Sequence, residues 1–359
     1  MFKKKIFLIS FLFFLIFLFS GCSISFGGGG GTQNDAGVYL STTGGGNWKH
    51  RALIPSISGE PGNIARTPVK DLAMDPNDHK AVYMGSVGKG LFYTYNIDKG
   101  WNQADTLPQK TVDAVAVDPE SKCTIYASLG NRVFKSTDCN RTWSPVYYDD
   151  NPEVRINSIA IDHYNNQRVY IGTTRGDVIK SRDGGNSWQT IHREDSSVGK
   201  VVISPHDSRI IFVSTQKEGV ARSEDAGRTW VNFEEKLERF DNSDRVRDLA
   251  LCNARSGLVF IATSYGMLKS EDGGETWESL QLITPEEEAI INSVSLAPED
   301  CNKIYYITNT TFYRSLDGGE SWTTIELPGS RKGADLLVDF QNPQNLYLGM
   351  GVEPKEKKY

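Results

Sequence analysis

The chain repeats one pattern of apolar and polar positions. Short runs rich in Val, Ile, Tyr and Phe are separated by Gly, Pro, Asn and Asp, as in the segments 156–161, 169–172 and 177–180. Runs of this length and composition, bounded by turn-forming residues, predict β-strands joined by hairpins. Each repeat contains three such runs, then a Gly-containing turn, then a fourth run that we expect to start at a Trp. The pattern therefore predicts an all-β protein.

The tryptophans mark the period of the repeat. They lie 42 to 53 residues apart, at Trp48, Trp101, Trp143, Trp188, Trp230, Trp277 and Trp322. A fixed period of this size is typical of solenoids, propellers and arrays. Because four strands per repeat make a propeller blade, the sequence predicts a seven-bladed β-propeller.

Four of these Trp close the short motif Ser-x-Asp-x-Gly-x-x-Trp, and the other three close weaker copies of it. The motif is compatible with a calcium loop, part of a catalytic site, or a hairpin turn. One carboxylate per motif falls short of the six to eight oxygens that calcium requires, and a turn repeated around a ring cannot form a single active site. We interpret the motif as the turn between the third and fourth strands, with Gly supplying a positive φ and the Ser and Asp side chains bonding backbone N–H groups. The structural positions are Ser136, Asp138, Trp143, Ser181, Asp183, Gly185, Trp188, Ser223, Asp225, Gly227, Trp230, Ser270, Asp272, Gly274, Trp277, Ser315, Asp317, Gly319 and Trp322.

The two ends of the repeat array complete one blade. After the last motif only two strands remain, at 335–340 and 345–350, and the missing two lie at 37–41 and 48–53. Pairing them would close the ring and remove the exposed edges of an open array. We therefore expect one propeller domain over residues 37–352, followed by a charged tail at 353–359.

The N-terminus carries a targeting signal. Lys3 to Lys5 precede an apolar stretch, and the segment 1–21 reads as a signal peptide rather than a membrane-spanning helix. The sequence Phe-Ser-Gly-Cys at its end resembles a bacterial lipobox, which implies lipid on Cys22. Ordinary secretion after Gly21 is the alternative. A Gly-rich tether at 22–36 follows, so we expect an extracytoplasmic protein, lipid-anchored to a bacterial membrane in the cell envelope.

Composition excludes several classes of function. Loss of 1–21 would move the formal net charge from −6 to −9, which disfavours a nucleic-acid partner. The five histidines are scattered, so we expect no metal and no cofactor. Cys123 and Cys139 lie at mirrored positions of a predicted hairpin, where a disulfide would suit an extracytoplasmic compartment. Cys252 and Cys301 fall in adjacent blades, and we expect them to remain free thiols.

The motif, together with strand text such as VYIGTTRGDVIKSRDGGNSW, resembles the BNR/Asp-box propellers. These include sialidases, xyloglucanase-type glycoside hydrolases, the sortilin ectodomain and photosystem II assembly factors of the Ycf48 type. The likeness covers 37–350 and implies the fold more strongly than a function. The sialidase arginine motif has no good counterpart, since Arg51 follows the first box. The turn Ser86 to Gly90 lacks the carboxylate that a xyloglucanase-type enzyme would place there. Catalysis is therefore not expected.

Propellers bind ligands at the end of the ring opposite the boxes, where polar residues lead into the innermost strands. Alignment of these strands predicts a polar ring, and nearby loops add aromatic and basic residues. The candidate ligand face comprises Lys70, Asp71, Asp113, Asn157, Lys200, Arg247, Asp248, Asn292, Asp335, Tyr147, Tyr148 and Arg175. We expect a monomeric, noncatalytic, membrane-anchored scaffold that recognises a protein or glycan there. A glycoside hydrolase-like enzyme is the alternative.

Overall fold

A computed structural model describes residues 34–288 and 290–353. The predicted signal peptide, Cys22, most of the tether and most of the tail lie outside the described residues. No helix in the described part is long and apolar enough to cross a membrane. The only α-helix there is Glu234–Leu237, and one 3-10 turn spans Ile97–Lys99.

Seven four-stranded antiparallel sheets are formed. We number the blades in chain order and give the strands of each blade from the innermost to the outermost. Blade 7 contains strands from both ends of the domain. The strands are, in blade 1, Val69–Asp75, Asp78–Ser86, Leu91–Thr94 and Asn102–Gln103; in blade 2, Ala114–Val117, Ile125–Leu129, Arg132–Ser136 and Ser144–Tyr148; in blade 3, Ile156–Ile161, Val169–Thr173, Asp177–Ser181 and Gln189–Arg193; in blade 4, Val198–Ile203, Ile211–Thr215, Val220–Ser223 and Val231–Asn232; in blade 5, Val246–Leu251, Val259–Thr263, Met267–Ser270 and Glu278–Ser279; in blade 6, Ser293–Ala297, Asp300–Ile307, Thr311–Ser315 and Thr323–Glu326; in blade 7, Gly333–Val338, Leu346–Met350, Gly37–Ser41 and Lys49–Arg51.

The predicted seven-bladed fold is confirmed, including its closure. Gly37–Ser41 pairs antiparallel with Leu346–Met350 over five residue pairs, so blade 7 is built from both ends of the domain. A small hairpin of Leu53–Ile54 with Gly62–Asn63 lies in the long loop before blade 1, where the sequence predicted no strand.

The core is divided among the blade interfaces. Seven buried apolar clusters are present, and each combines side chains of two neighbouring blades. The cluster between blades 7 and 1, for example, contains Leu40, Leu72 and the fully buried Met84. Burial of apolar surface between every pair of neighbours holds the ring together.

Each box forms the predicted turn between the third and fourth strands. In blade 3 the Ser181 hydroxyl accepts the Gly185 N–H at 2.8 Å, and the Asp183 carboxylate accepts both the backbone N–H and the hydroxyl of Ser187. The hydrogen bond from that hydroxyl is the largest cause lowering the pKa of Asp183 to about 2. Gly185 has a φ of 96°. In the weaker blade 2 copy, Asn140 adopts a φ of 69°, which Asn tolerates better than most residues.

The box tryptophans close the seams between blades. Each outer strand begins one residue after its Trp. The prediction that the Trp starts the strand is therefore wrong, and the Trp belongs to the turn. The Trp188 indole N–H donates to the Val146 carbonyl of blade 2 at 2.8 Å. The Trp101 indole donates to the Arg51 carbonyl of blade 7 at 2.7 Å, and Trp101 is fully buried although its box is the least regular.

Two disulfides are present in the described chain. Cys123 and Cys139 are bonded within blade 2, with Cα atoms 4.0 Å apart. Cys252 and Cys301 are also bonded, with Cα atoms 5.8 Å apart, so the expectation of free thiols is wrong. Cys252 lies in the turn between the first and second strands of blade 5, and Cys301 lies at the start of the second strand of blade 6. The two blades bring these positions together at the box end of the ring.

The interblade disulfide should stabilise the domain more than the disulfide within blade 2. Because a longer closed loop restricts the unfolded chain more, separations of 49 and 16 residues correspond to about 4 and about 3 kcal/mol. Guanidinium unfolding of the Cys252→Ser/Cys301→Ser variant should give the larger loss of free energy of unfolding, with Cys123→Ser/Cys139→Ser as the matched control. A larger loss in the control would contradict this order.

Candidate functional site

The central channel holds the predicted polar ring. A cavity of ≈400 Å³ is lined by nine of the twelve candidate residues: Lys70, Asp71, Asp113, Asn157, Lys200, Arg247, Asp248, Asn292 and Asp335. It opens at the end formed by the loops leading into the innermost strands and by the turns between second and third strands. We call this end the mouth face and the opposite end, which carries the boxes, the box face.

The ring has two levels that sequence alignment merged. Immediately before the apolar residue of each innermost strand lie the residues Asp71, Ala114, Ser158, Lys200, Asp248, Ser293 and Asp335, which form the inner level. One residue earlier lies the outer level, Lys70, Asp113, Asn157, Gly199, Arg247, Asn292 and Ala334. Alignment on the conserved apolar position within this chain's own repeats separates the two levels and would have identified Ser158 and Ser293.

Inner-level side chains connect each blade to the next. Asp71 accepts the Val115 N–H at 2.7 Å, and Asp335 accepts the Leu72 N–H at 2.8 Å. Equivalent bonds run from the Val201 N–H to Ser158 and from the Val294 N–H to Asp248. Acceptors at these positions satisfy backbone N–H groups for which no strand partner exists on the channel side. The polar ring therefore serves the architecture before any ligand is considered.

Asp335 also helps to close the ring. It accepts N–H from Leu72 of blade 1 with one oxygen, and with the other it accepts N–H from Leu336 and a hydroxyl hydrogen bond from Ser293 of blade 6. One carboxylate thus joins three consecutive blades. At the box face, His79 of blade 1 contacts the buried Asp339 of blade 7 at 2.9 Å.

Lys200 balances the inner-level carboxylates, and Arg155 pairs with Asp113 of the outer level. The Lys200 ammonium lies 2.6 Å from Asp248. Burial works to lower the pKa of Lys200, but the charges of Asp248, Asp335 and Asp71 outweigh it, and the net shift is upward. Burial, reinforced by the charge of Asp335, raises the pKa of Asp71 to about 8. Burial and the neighbouring carboxylate therefore favour the protonated form of Asp71.

Positive groups without partners surround the mouth. Lys70, Arg245, Arg247 and Lys332 have no side-chain hydrogen bond or ion pair within residues 34–288 and 290–353. Burial lowers the pKa of Lys332, and the charges of Lys70 and Arg247 lower it further. A second recess of ≈430 Å³, lined by Arg245 and Gln216 among others, adjoins the channel through Arg247 and Asn292. The candidates drawn from the sequence did not include Lys332 or Gln216.

The three remaining candidates lie on the rim between blades 2 and 3. Tyr148 is exposed and is stacked by the Arg132 guanidinium at 5.0 Å. Tyr147 does not project as predicted, because its ring packs edge-on against Trp188 with centroids 5.5 Å apart. Arg175 is held by Asp149 and Asp177 at 2.9 and 2.7 Å, so its charge is already neutralised within the protein.

Nothing in the described residues suggests a metal centre. No group of three or more His, Cys, Asp or Glu side chains there is positioned to hold a metal ion.

Comparisons with known proteins agree with this geometry. The family model described as sortilin, neurotensin receptor 3 matches residues 131–258, which span the outer two strands of blade 2, all of blades 3 and 4 and the first strand of blade 5. The chain folds as a seven-bladed β-propeller, and the family match covers less than half of it. No curated protein matches its sequence.

Solved structures with this fold include two GH74 enzymes and YCF48. The propeller superposes on the Niastella koreensis GH74 enzyme with a TM-score of 0.67 and 17% identity, covering 84% of this chain and 53% of that one. For the Xanthomonas campestris GH74 xyloglucanase the values are 0.64, 16%, 85% and 52%. For YCF48 from Cyanidioschyzon merolae they are 0.60, 12%, 83% and 98%. The propeller thus spans about half the length of the two GH74 structures, and at these identities the likeness shows the fold alone.

We expect Asp71→Asn to raise the stability of the propeller near neutral pH. Because the folded-state pKa of about 8 lies above the ordinary value of 3.8, the folded protein binds a proton that the unfolded chain has lost, and stability falls as the pH rises through this window. An amide cannot ionise and keeps an oxygen for the Val115 N–H. Urea unfolding across about pH 4 to about pH 8 should show a weaker fall for the variant.

Asp335→Asn is the matched control. Both Asp335 oxygens accept backbone N–H groups, so replacing one by an NH₂ group leaves a buried donor facing a donor. We expect a loss of about 2 kcal/mol. Equal destabilisation by both variants would contradict the assignment of a protonated Asp71.

Proposed function

We propose that this Asp-box propeller is a noncatalytic binding scaffold that recognises a partner at the mouth face. The observation that carries the proposal is the contrast between committed and uncommitted charges. The channel carboxylates are bonded to backbone N–H groups, Lys200 and Arg155, whereas Lys70, Arg245, Arg247 and Lys332 are without partners in the described chain. A surface with free cations in an otherwise acidic protein favours a partner that carries carboxylates.

The proposed partner is an acidic protein segment, with an acidic glycan as the other source of the same chemistry. A YCF48 protein of the same fold has been solved bound to a D1 peptide, at a TM-score of 0.60 and 13% identity, over 79% of this chain and 93% of that one. Exposed Tyr148 with Arg132 stacked on it adds the residue types that are enriched in protein interfaces.

We further propose that the propeller works outside the cytoplasm, held to a bacterial membrane by lipid on Cys22. The support is the sequence pattern of residues 1–22 together with two disulfides in the described chain, since disulfides persist mainly in oxidising compartments. The Gly-rich tether would leave the domain free to engage partners near the membrane. We propose that it acts as a monomer.

Loss of the mouth cations should abolish partner binding. We expect the Arg245→Gln/Arg247→Gln variant to lose capture, in a pull-down from solubilised envelope membranes, of a partner that the wild type retains. Arg141→Gln on the box face is the matched control and should retain it. Isothermal titration with the captured partner should show at least about tenfold weaker binding for the double variant. Equal capture by both variants would remove the mouth face from recognition.

A glycoside hydrolase is the second candidate, favoured by one observation. Asp71 has a raised pKa and shares a cavity with Asp335, and a glycosidase needs one protonated and one ionised carboxyl group. Against it, both side chains are engaged in bonds between blades.

We expect purified propeller to release no reducing sugar from xyloglucan or from sialylated oligosaccharides. Hydrolysis that Asp71→Asn eliminates, while the fold is retained, would replace the scaffold proposal by the enzyme.

A further inference from the structure

A basic recess lies on the box face where blade 3 meets blade 4. We call it the seam recess. Its volume is ≈340 Å³, and it is lined by Arg168, Lys180, Arg182, Arg209, Glu224, Asp225, Ala226 and Arg228. Five of these eight residues are cationic, in a chain whose formal net charge is −6. The recess is far from the mouth face, and the proposed function does not use it.

Lys180 belongs to a clamp that repeats around the ring. It lies near the end of the third strand of blade 3, and its ammonium donates to the Ala226 carbonyl in the box of blade 4 at 2.9 Å. In blade 2, Lys135 donates to the Gly184 carbonyl at 2.8 Å, and in blade 4, Arg222 donates to the Gly273 carbonyl. The neighbouring seams therefore provide internal comparisons for the same buried cation.

The clamps differ in their electrostatic surroundings. Arg222 is compensated by Glu224 and Glu275, at 2.9 and 3.0 Å. At Lys135, burial lowers the pKa while carboxylates at Asp118 and Asp183 oppose the fall.

Lys180 is surrounded mainly by other cations. Burial lowers the pKa of Lys180 to about 8, and the charges of Arg182, Arg168 and Arg228 contribute to the fall, while the Asp162 carboxylate opposes it. Lys180 is only 5% exposed. A buried ammonium among guanidinium groups is unfavourable unless an anion compensates it.

The acidic residues of the lining do not supply that compensation. Glu224 is paired with Arg222, and the Asp225 carboxylate accepts two backbone N–H groups and the Thr229 hydroxyl within its own box. Asp162 already pairs with Arg168 at 3.2 Å.

Two arginines remain available at the recess. Arg209 is engaged by Asp207 at 2.7 Å. Arg182 and Arg228, both exposed, have no hydrogen-bond or ion-pair partner in the part of the chain that the structure describes. They flank the buried Lys180 from the boxes of blades 3 and 4.

We propose that the seam recess binds a tetrahedral oxyanion, a phosphate or sulfate group carried by a small molecule or sugar. The planar guanidinium groups of Arg182 and Arg228 match the paired oxygens of such a group, and Lys180 adds a compact charge at the base of the recess. The anion would bridge two blades at the seam that carries the excess positive charge.

The proposal predicts selective binding of phosphate and sulfate esters. Isothermal titration of the whole protein at constant ionic strength, with glucose 6-phosphate, glucose 6-sulfate and inorganic phosphate as probes, should detect binding of at least one. The probe bound most tightly identifies the source of the oxyanion. Arg182→Gln/Arg228→Gln should weaken the affinity by about tenfold or more, since each lost charge-assisted hydrogen bond contributes at this scale.

Arg141→Gln is the matched control, because Arg141 occupies in the blade 2 box the position that Arg228 occupies in blade 4. It should bind the probes as the wild type does. Three outcomes would overturn the proposal: no binding of any probe, undiminished binding by the double variant, or equal affinity for glucuronate, whose planar carboxylate has no third oxygen for Lys180. Thermal unfolding of each variant without probe separates loss of the site from loss of the fold.

Discussion

Each innermost strand has an edge toward the channel on which no further strand can pair, so its N–H groups need other acceptors. The preceding blade supplies them. Asp71, Ser158, Asp248 and Asp335 each accept an N–H from the following innermost strand. This constraint explains why the polar side chains of the channel serve first to connect neighbouring blades. The closure of blade 7 onto blade 1 therefore depends on the hydrogen bond from the Leu72 N–H to Asp335 as well as on apolar packing.

The same constraint decides how the channel is interpreted. A carboxylate that accepts two N–H groups is held in place and has few lone pairs left for a substrate. Cations cannot accept N–H groups, so the fold has no structural use for Lys70 or Arg247 at the mouth. The charged side chains at the mouth that make no bond within the described chain are therefore basic. A face with free cations but no free carboxylates favours binding over catalysis.

The repeat itself was readable from the sequence because the signals are local. The side chains of each box accept hydrogen bonds from backbone N–H groups four residues away, so residues such as Ser181, Asp183 and Gly185 predict the turn from the local sequence alone. Ring closure followed from counting strands. Three-dimensional neighbours were harder to predict. Cys252 and Cys301 are 49 residues apart, yet adjacent blades place their Cα atoms 5.8 Å apart, because equivalent positions of neighbouring blades are always close in a ring. Tyr147 was misplaced for the same reason, since Trp188 of the next blade covers it.

Departures from the repeat carry more functional information than the repeat does. When one position is buried in the same way in several blades, its surroundings can be compared at constant geometry. Lys135, Lys180 and Arg222 make the same contact with the next box, but only Lys180 is enclosed mainly by like charges. Neither the buried lysine nor the arginines would be informative alone, because exposed arginines are common and the clamp is structural. These residues occur together at one seam, whereas carboxylates offset the charge of the equivalent cation at the seams on either side. This contrast distinguishes a cation that needs an external anion from one that serves only the fold. The mouth face follows the same logic, since its unpartnered cations lie beside equivalent positions whose side chains are fully engaged.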